Sequence, residues 1–134
     1  MKLIICGSRT IINYETVKGM IEKGIVELKI KDKIDEVVSG RAIGVDRLGE
    51  QWAKENNIPV KVFLPDWELG KRAGPLRNIE MCEYAKGGAL ICVHDGISKG
   101  CLQCYNYGRE NGVKCVIYEA KIEPIAKPKE MKGI

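Results

Sequence analysis

Four short polar turns that contain glycine each follow a hydrophobic run, and they carry the residue types best suited to ligand chemistry. The turns are Gly7-Ser8-Arg9, Ser39-Gly40-Arg41-Ala42, Pro65-Asp66-Trp67 leading to Ala73-Gly74-Pro75, and Asp95-Gly96-Ile97-Ser98-Lys99-Gly100. Glycine lets the backbone approach a ligand closely and lets amide groups turn toward an anion. The turns therefore predict N–H donors for a phosphate group.

Two arginines are the strongest candidates for binding that anion. The planar guanidinium of Arg9 or Arg77 matches the geometry of phosphate oxygens. Arg77 lies one turn into a predicted helix, where the helix dipole disfavours a cation, so a ligand anion would explain its position. Asn78 can hydrogen-bond the same ligand. Lys99 is a weaker candidate, and Arg41 is interpreted either as a ligand contact or as a surface residue.

Three further residues each have a structural and a ligand-binding interpretation. Asp46 lies in the first turn of a helix, where the dipole favours a carboxylate, and it could also bind a ribose hydroxyl. Trp67 is either a wall for a stacked base or a core residue. Ser98 is either the N-cap of a helix, a ligand contact, or both.

The elements that must position these residues alternate regularly between strand and helix. The predicted strands are Lys2–Cys6, Ile34–Ser39, Ile58–Leu64, Ala89–Val93 and Val113–Tyr118, and the predicted helices are Glu15–Ile30, Ile43–Asn56, Pro75 to about Ala85, and Ser98–Asn111. Such alternation predicts an α/β fold, a Rossmann-like three-layer sandwich around a parallel five-stranded sheet.

The strand order follows from the two strands that are almost entirely apolar. Lys2–Cys6 and Ala89–Val93 are continuous apolar runs, which are typical of central strands buried on both faces. Placing them side by side gives the order 3-2-1-4-5, with a topological switch point between the first and fourth strands, where such folds bind ligands. We expect one domain over residues 1–118 and a tail or surface arm over 119–134.

The composition of the chain limits the classes of molecule that it is expected to bind. The chain has 134 residues, 45% of them hydrophobic and 30% charged, with a net charge of +4. No run of lysine and arginine appears, which argues against a nucleic-acid partner, and no segment reaches membrane-spanning length. We expect a cytoplasmic protein with its six cysteines as thiols, and we leave a homo-oligomer open. A single histidine gives no metal site, and the spacing of Cys101 and Cys104 is formally a redox motif without its usual context.

These turns together resemble the YspA-type branch of the SLOG superfamily. The matching segments are Gly7-Ser8-Arg9, Ser39 to Asp46, Trp52-Ala53, Asp66-Trp67, Ala73-Gly74-Pro75-Leu76-Arg77-Asn78 with Met81, and Gly96 to Gly100. The resemblance implies a Rossmann-like domain that binds nucleotides or nucleotide-derived ligands, such as ADP-ribose-like signals, with no further cofactor required.

Departures from the family pattern favour binding over hydrolysis. Arg41 stands where glycine is usual, and Cys101 stands where threonine is usual. The glutamate of the related phosphoribohydrolases is absent, since no carboxylate follows Cys101 until Glu110. The resemblance, taken with these departures, implies a sensor or sequestering protein for an ADP-ribose-like or cyclic-nucleotide signal, and the resemblance alone implies a phage anti-defence sponge as its setting. The alternative is a nucleotide-processing enzyme, either an N-glycosidic phosphoribohydrolase or a sugar transferase.

Overall fold

A computed structural model describes residues 1–120, which form one parallel sheet with helices on both faces. The strands are β1 (Lys2–Gly7), β2 (Glu36–Ser39), β3 (Val60–Val62), β4 (Ala89–His94) and β5 (Lys114–Glu119). The helices are α1 (Tyr14–Leu28), α2 (Val45–Glu55), α3 (Ala73–Tyr84) and α4 (Gly100–Glu110), and a 3₁₀ segment spans Trp67–Arg72.

The strand order is β3-β2-β1-β4-β5, and every neighbouring pair is parallel, which confirms the predicted α/β fold and order. The central pair β1 and β4 is in register from Leu3 opposite Ala89 to Gly7 opposite Val93. All six residues of β4 are buried, as the apolar run predicted.

The core lies in two layers, one on each face of the sheet. Alternate residues along a strand point to opposite faces. Leu3 and Ile5 therefore pack with α1 and α2, whereas Ile4 and Cys6 pack with α3 and α4. This arrangement is the predicted three-layer sandwich.

The boundaries of the elements differ from the predicted ones in two informative places. Strand β3 has only three residues, and Leu64, which was predicted to end it, is exposed. Helix α4 begins at Gly100 instead of Ser98, because residues 95–98 form a separate hydrogen-bonded loop. The predicted tail of residues 119–134 lies, from residue 121 onward, outside the described residues, and Glu119 pairs with His94 at the end of β5.

Candidate functional site

The loops after β1 and β4 are joined directly by hydrogen bonds at the switch point. The backbone N–H of Ser8 donates to the carbonyl of Val93 at 3.1 Å, and the N–H of Asp95 donates to the hydroxyl of Ser8 at 3.0 Å. The Thr10 hydroxyl donates to Asp95 Oδ2 at 2.6 Å. Residues about 90 positions apart in sequence thus form one rigid wall.

The carboxylate of Asp95 organises the β4–α4 loop. It accepts hydrogen bonds from the N–H of Ile97 (2.8 Å), the N–H of Ser98 (2.7 Å) and the hydroxyl of Ser98 (2.8 Å), in addition to Thr10. Desolvation raises its pKa, but these hydrogen bonds outweigh that effect and hold the pKa of Asp95 well below the ordinary value. Because its oxygens are occupied by protein donors, Asp95 is a structural anion.

Ser98 is not the N-cap of α4. That position is held by Lys99, which makes no side-chain cap hydrogen bond, and the Ser98 hydroxyl is directed to Asp95 instead. The interpretation of Ser98 as a cap is therefore wrong, and Ser98 lines the cavity described below.

Two glycines allow the turns to approach closely. A Cβ at Gly7 would lie 2.1 Å from the carbonyl oxygen of Val93, so no side chain fits between β1 and β4 there. Gly44 has φ of +92°, and a Cβ on it would lie 2.4 Å from the carbonyl oxygen of Ser8. The start of α2 therefore packs against the β1 loop.

Arg77 links three elements around the site. Its Nη1 donates to the carbonyl of Gly40 at 2.7 Å, and its Nε donates to Asn78 Oδ1 at 2.8 Å. The Asn78 amide in turn donates to Gln103 Oε1 at 2.8 Å. The turn after β2, the start of α3 and the first turn of α4 are thereby connected, and the Gly40 carbonyl accounts for part of the position of Arg77.

These loops and helix starts enclose a cavity of about 500 Å³. It is lined by nine of the residues that the sequence indicated: Gly7, Ser8, Arg9, Asp46, Gly74, Arg77, Asn78, Ser98 and Gly100. Seven further residues line it: Cys6, Thr10, Ala42, Pro75, Cys101, Gln103 and Cys104. The cavity lies at the carboxyl ends of the strands, at the switch point between β1 and β4.

The other indicated residues do not line the cavity. They are Ser39, Gly40, Arg41, Asp66, Trp67, Asp95, Gly96 and Lys99. Ser39 is buried, and its hydroxyl donates to Glu50 at 2.7 Å. Arg41, with φ of +57°, forms an ion pair with Glu50 at 3.0 Å, so its charge is directed to the outer surface of α2.

Trp67 is not the core residue that one of its two interpretations predicted. Its side chain is 64% exposed, so it is not a core residue, and it does not line the cavity. It begins the 3₁₀ segment, where the Asp66 carboxylate accepts the N–H of Glu68 at 3.1 Å. None of the six residues in this segment is buried.

Asp46 is a buried carboxyl on the cavity wall. The residue is 5% exposed, and the N–H of Ala42 donates to its Oδ2 at 3.3 Å. Burial raises the pKa of Asp46 to about 7, although the Ala42 N–H and the charge of Arg77 act in the opposite direction. Asp46 can therefore exchange a proton near neutral pH, in contrast to Asp95.

Three helices begin at the cavity without a side-chain cap. Helix α1 is capped by Asn13, which accepts the N–H of Thr16 at 3.1 Å. By contrast, α2, α3 and α4 have no cap hydrogen bond from a side chain among the described residues. The Val45 N–H at the start of α2 already donates to the Ser8 carbonyl at 3.3 Å, so the positive dipole ends and the remaining first-turn amides are what favour an anion at these starts.

Sequence reasoning missed Gln103 and the thiols of Cys101 and Cys104. Gln103 lies three residues after Gly100, so helical spacing places both on the same side of α4. This spacing could have indicated Gln103, whereas the sequence indicated Cys101 and Cys104 only as a formal redox motif.

No helix among residues 1–120 is long and apolar enough to cross a membrane.

Comparisons with known proteins agree with the fold and the turns. The model of the "YspA, cpYpsA-related SLOG family" matches residues 1–70, slightly more than half of the chain. The chain is 33% identical over 93 residues to the "Gene 61 protein" of Mycobacterium phage D29, a match that covers 63% of this chain and 72% of the phage protein. No solved structure matches the chain.

The match to the SLOG family indicates that a nucleotide-related ligand is bound or processed. Because the matched region includes the turns after β1 and β2 together with Asp46, the chain belongs to the YspA, cpYpsA-related SLOG family.

Proposed function

We propose that the protein binds a phosphorylated, nucleotide-derived small molecule in the cavity and holds it without turnover. The ligand class is that of ADP-ribose or a cyclic nucleotide signal, and the protein acts as a sensor or a sequestering protein. The observation that carries this proposal is the convergence of three uncapped helix starts and two arginines on one cavity.

The phosphate end of the ligand is assigned to the wall formed by the β1 and β4 loops. Gly7, Ser8 and Gly100 line the cavity there, Arg9 supplies positive charge, and Arg77 of α3 lines the same cavity. Amides at a helix start together with a guanidinium form a common phosphate site. The Asp95 carboxylate would not repel the phosphate strongly, because protein donors surround its oxygens.

The sugar and base are assigned to the side formed by α2, α3 and α4. Asp46 and Gln103 provide polar atoms for ribose hydroxyls. Pro75 and the thiols provide apolar surface. A cavity of about 500 Å³ is within the range of about 300–1,000 Å³ that is usual for small-molecule sites.

Calorimetric titration tests this assignment. Adenosine, AMP and ADP-ribose should bind in increasing order of affinity, because they carry no, one and two phosphate groups. Arg77→Gln should weaken ADP-ribose binding by about 10–100-fold, the effect of losing a charged hydrogen bond. Arg109→Gln, which changes an arginine near the far end of α4, is the matched control and should bind normally. Equal affinity for adenosine and AMP would contradict the assignment.

A second candidate function is hydrolysis of an N-glycosidic bond or sugar transfer, and Asp46 favours it. A carboxyl with a pKa of about 7 inside a cavity is suited to general acid–base catalysis. The glutamate of the related hydrolases is missing, so Asp46 would have to replace it. Chromatography of ADP-ribose, cyclic ADP-ribose isomers and NAD after incubation and denaturation separates the two functions. Intact ligand supports binding, and free base or ribose phosphate supports the enzyme.

The biological setting that we propose is a phage anti-defence sponge. The related protein from a mycobacteriophage is consistent with a phage setting. A sponge must bind its signal tightly and release it unchanged on denaturation. Mass spectrometry of small molecules released from protein purified from infected cells tests this setting.

A further inference from the structure

Five buried cysteines form a continuous cluster directly beneath the cavity. Cys6 is on β1, Cys92 on β4, Cys82 on α3, and Cys101 and Cys104 are on α4. The sulfur atoms of Cys82 and Cys104 are 3.9 Å apart, and the sulfur of Cys101 is 3.9 Å from the Ser8 hydroxyl. All of these cysteines are free thiols. The proposed binding function uses the apolar surface of those thiols that line the cavity, and it does not use the reactivity of any of them.

The cavity gives a small reagent access to some of these thiols and not to others. Cys6, Cys101 and Cys104 line the cavity. Cys82 and Cys104 are both 1% exposed, but only Cys104 lines the cavity, and the sulfur of Cys82 is 3.9 Å from that of Cys104. A molecule that enters the cavity can therefore meet Cys104 while Cys82 is placed to react in a second step.

The surroundings of Cys104 favour its thiolate. Hydrogen bonds from the Cys6 and Cys82 thiols hold the pKa of Cys104 below its ordinary value, with burial opposing them and the charge of Arg77 assisting. The thiolate is the form of cysteine that reacts with oxidants. Cys104 lines the cavity, and its sulfur also lies 3.9 Å from the sulfur of Cys82 on the neighbouring helix α3.

Helices α3 and α4 approach closely at this point. A Cβ placed on Gly108 of α4 would lie 3.4 Å from the sulfur of Cys82. The hydrogen bond from Asn78 to Gln103, 2.8 Å long, joins the same two helices at the cavity wall. A bond between Cys82 and Cys104 would therefore act on the helices that carry Arg77, Asn78 and Gln103.

We propose that Cys104 and Cys82 form an oxidisable pair that a peroxide reaches through the ligand cavity. The Cys104 thiolate attacks a peroxide oxygen, which breaks the O–O bond and gives a sulfenic acid and water after proton transfer. The Cys82 thiol then displaces water from the sulfenic acid and leaves a disulfide. Two thiols are thereby oxidised, and one hydrogen peroxide is reduced to two waters.

This reaction makes oxidation and ligand binding compete. A disulfide requires the sulfurs to approach to about 2 Å from 3.9 Å, which pulls α3 and α4 together. The cavity wall between Arg77 and Gln103 then changes shape. Conversely, a ligand in the cavity blocks the path of the peroxide to Cys104.

Mass mapping of the full chain tests the pair. The reduced protein is treated with hydrogen peroxide, blocked with N-ethylmaleimide and digested without reductant. We expect the peptide with Cys82 joined to the peptide with Cys104, lighter by two hydrogen atoms and separated again by dithiothreitol. Because one tryptic peptide holds both Cys101 and Cys104, two variants assign the bond. Cys101→Ser should keep the cross-link, whereas Cys104→Ser and Cys82→Ser should lose it.

Other outcomes overturn the proposal. A main product that joins any other pair of cysteines contradicts the proposal. The absence of a cross-link in the wild-type protein also contradicts it, because a failure of the wild-type protein to fold cannot explain that result. Saturating ADP-ribose should slow cross-linking by about tenfold or more if it fills the cavity. Cross-linking that ADP-ribose does not slow would argue against ADP-ribose as the occupant and would leave the thiol chemistry supported, so the two proposals fail separately.

Discussion

Arg77 and Gly40 are 37 residues apart in sequence and are in direct contact, with the guanidinium Nη1 donating to the Gly40 carbonyl at 2.7 Å. The contact holds a cation of α3 against the turn after β2. It also requires a glycine, because a Cβ at position 40 would lie 2.6 Å from that nitrogen. The position of the Arg77 guanidinium is thus set by its contact with Gly40.

Gly40→Ala should displace Arg77 from the cavity wall. We expect a loss of about 1.5–3 kcal/mol in the free energy of unfolding, the usual range for a hydrogen bond from a charged group, because the flexible Arg77 side chain moves aside and gives up its contact with the Gly40 carbonyl. Binding of AMP should weaken by about tenfold or more, since a charged hydrogen bond is lost. Urea denaturation and calorimetric titration measure the two effects.

Gly19→Ala is the matched control for that substitution. Gly19 lies in α1 with nothing within 4 Å of an added Cβ. Alanine should stabilise the protein there by about 0.5–1 kcal/mol, because glycine is a poor helix former. Ligand affinity should not change. Weaker AMP binding in the Gly19 variant would show that the effect at Gly40 is not specific.

Asp46 should make the folded protein less stable as the pH rises. Its pKa is raised from 3.8 to about 7 in the folded state, so between these values the folded state binds more protons than the unfolded state. The free energy of unfolding contributed by this group therefore falls from about pH 4 to about pH 7, by about 4 kcal/mol at most, and is level above pH 7. Asp46→Asn should remove the fall, measured by urea denaturation at pH 5 and pH 8.

Asp95 should behave in the opposite way. Its pKa is lowered in the folded state, so its stabilising contribution is complete above its unfolded pKa and is lost only in strong acid. Asp95→Asn should cost about 1–3 kcal/mol through weakened hydrogen bonds from Thr10, Ile97 and Ser98. The loss should be similar at pH 5 and pH 8. A strongly pH-dependent loss in this range would contradict the role of Asp95 as a permanent anion.

Arg41→Ala should leave ligand binding unchanged. The Arg41 guanidinium is paired with Glu50 at 3.0 Å and is half exposed, so its removal should also have little effect on unfolding. Calorimetric titration with AMP measures the first point. Affinity lost in this variant to the same extent as in Arg77→Gln would place the ligand beside Arg41 and Glu50, on the outer surface of α2, instead of in the cavity.

Much of the fold followed from the sequence because the signals were strong. The two continuous apolar strands predicted the centre of the sheet, and the order 3-2-1-4-5 predicted that Ser8 and Asp95 would face each other. The residues at the cavity that were found in advance, such as Gly7 and Arg77, lie directly after strands or at helix starts. In those places the topology of the sheet alone decides where the side chain lies.

The remaining parts of the site depend on tertiary packing. The exposure of Trp67 follows from a 3₁₀ segment with no buried residue, and no periodic pattern predicts such a segment. The pairing of Arg41 with Glu50 depends on a positive φ at a residue other than glycine. The raised pKa of Asp46 depends on burial by the surrounding loops, which the sequence does not specify.

The central claim is that the cavity at the switch point binds a phosphorylated nucleotide derivative, and amide chemical-shift mapping tests it most directly. Titration of ¹⁵N-labelled protein with ADP-ribose should move the amide signals of residues 7–10 and 100–103 most strongly. Shifts concentrated on the exposed side of α2, between Arg47 and Lys54, or no shift with any phosphorylated nucleotide derivative, would contradict the claim.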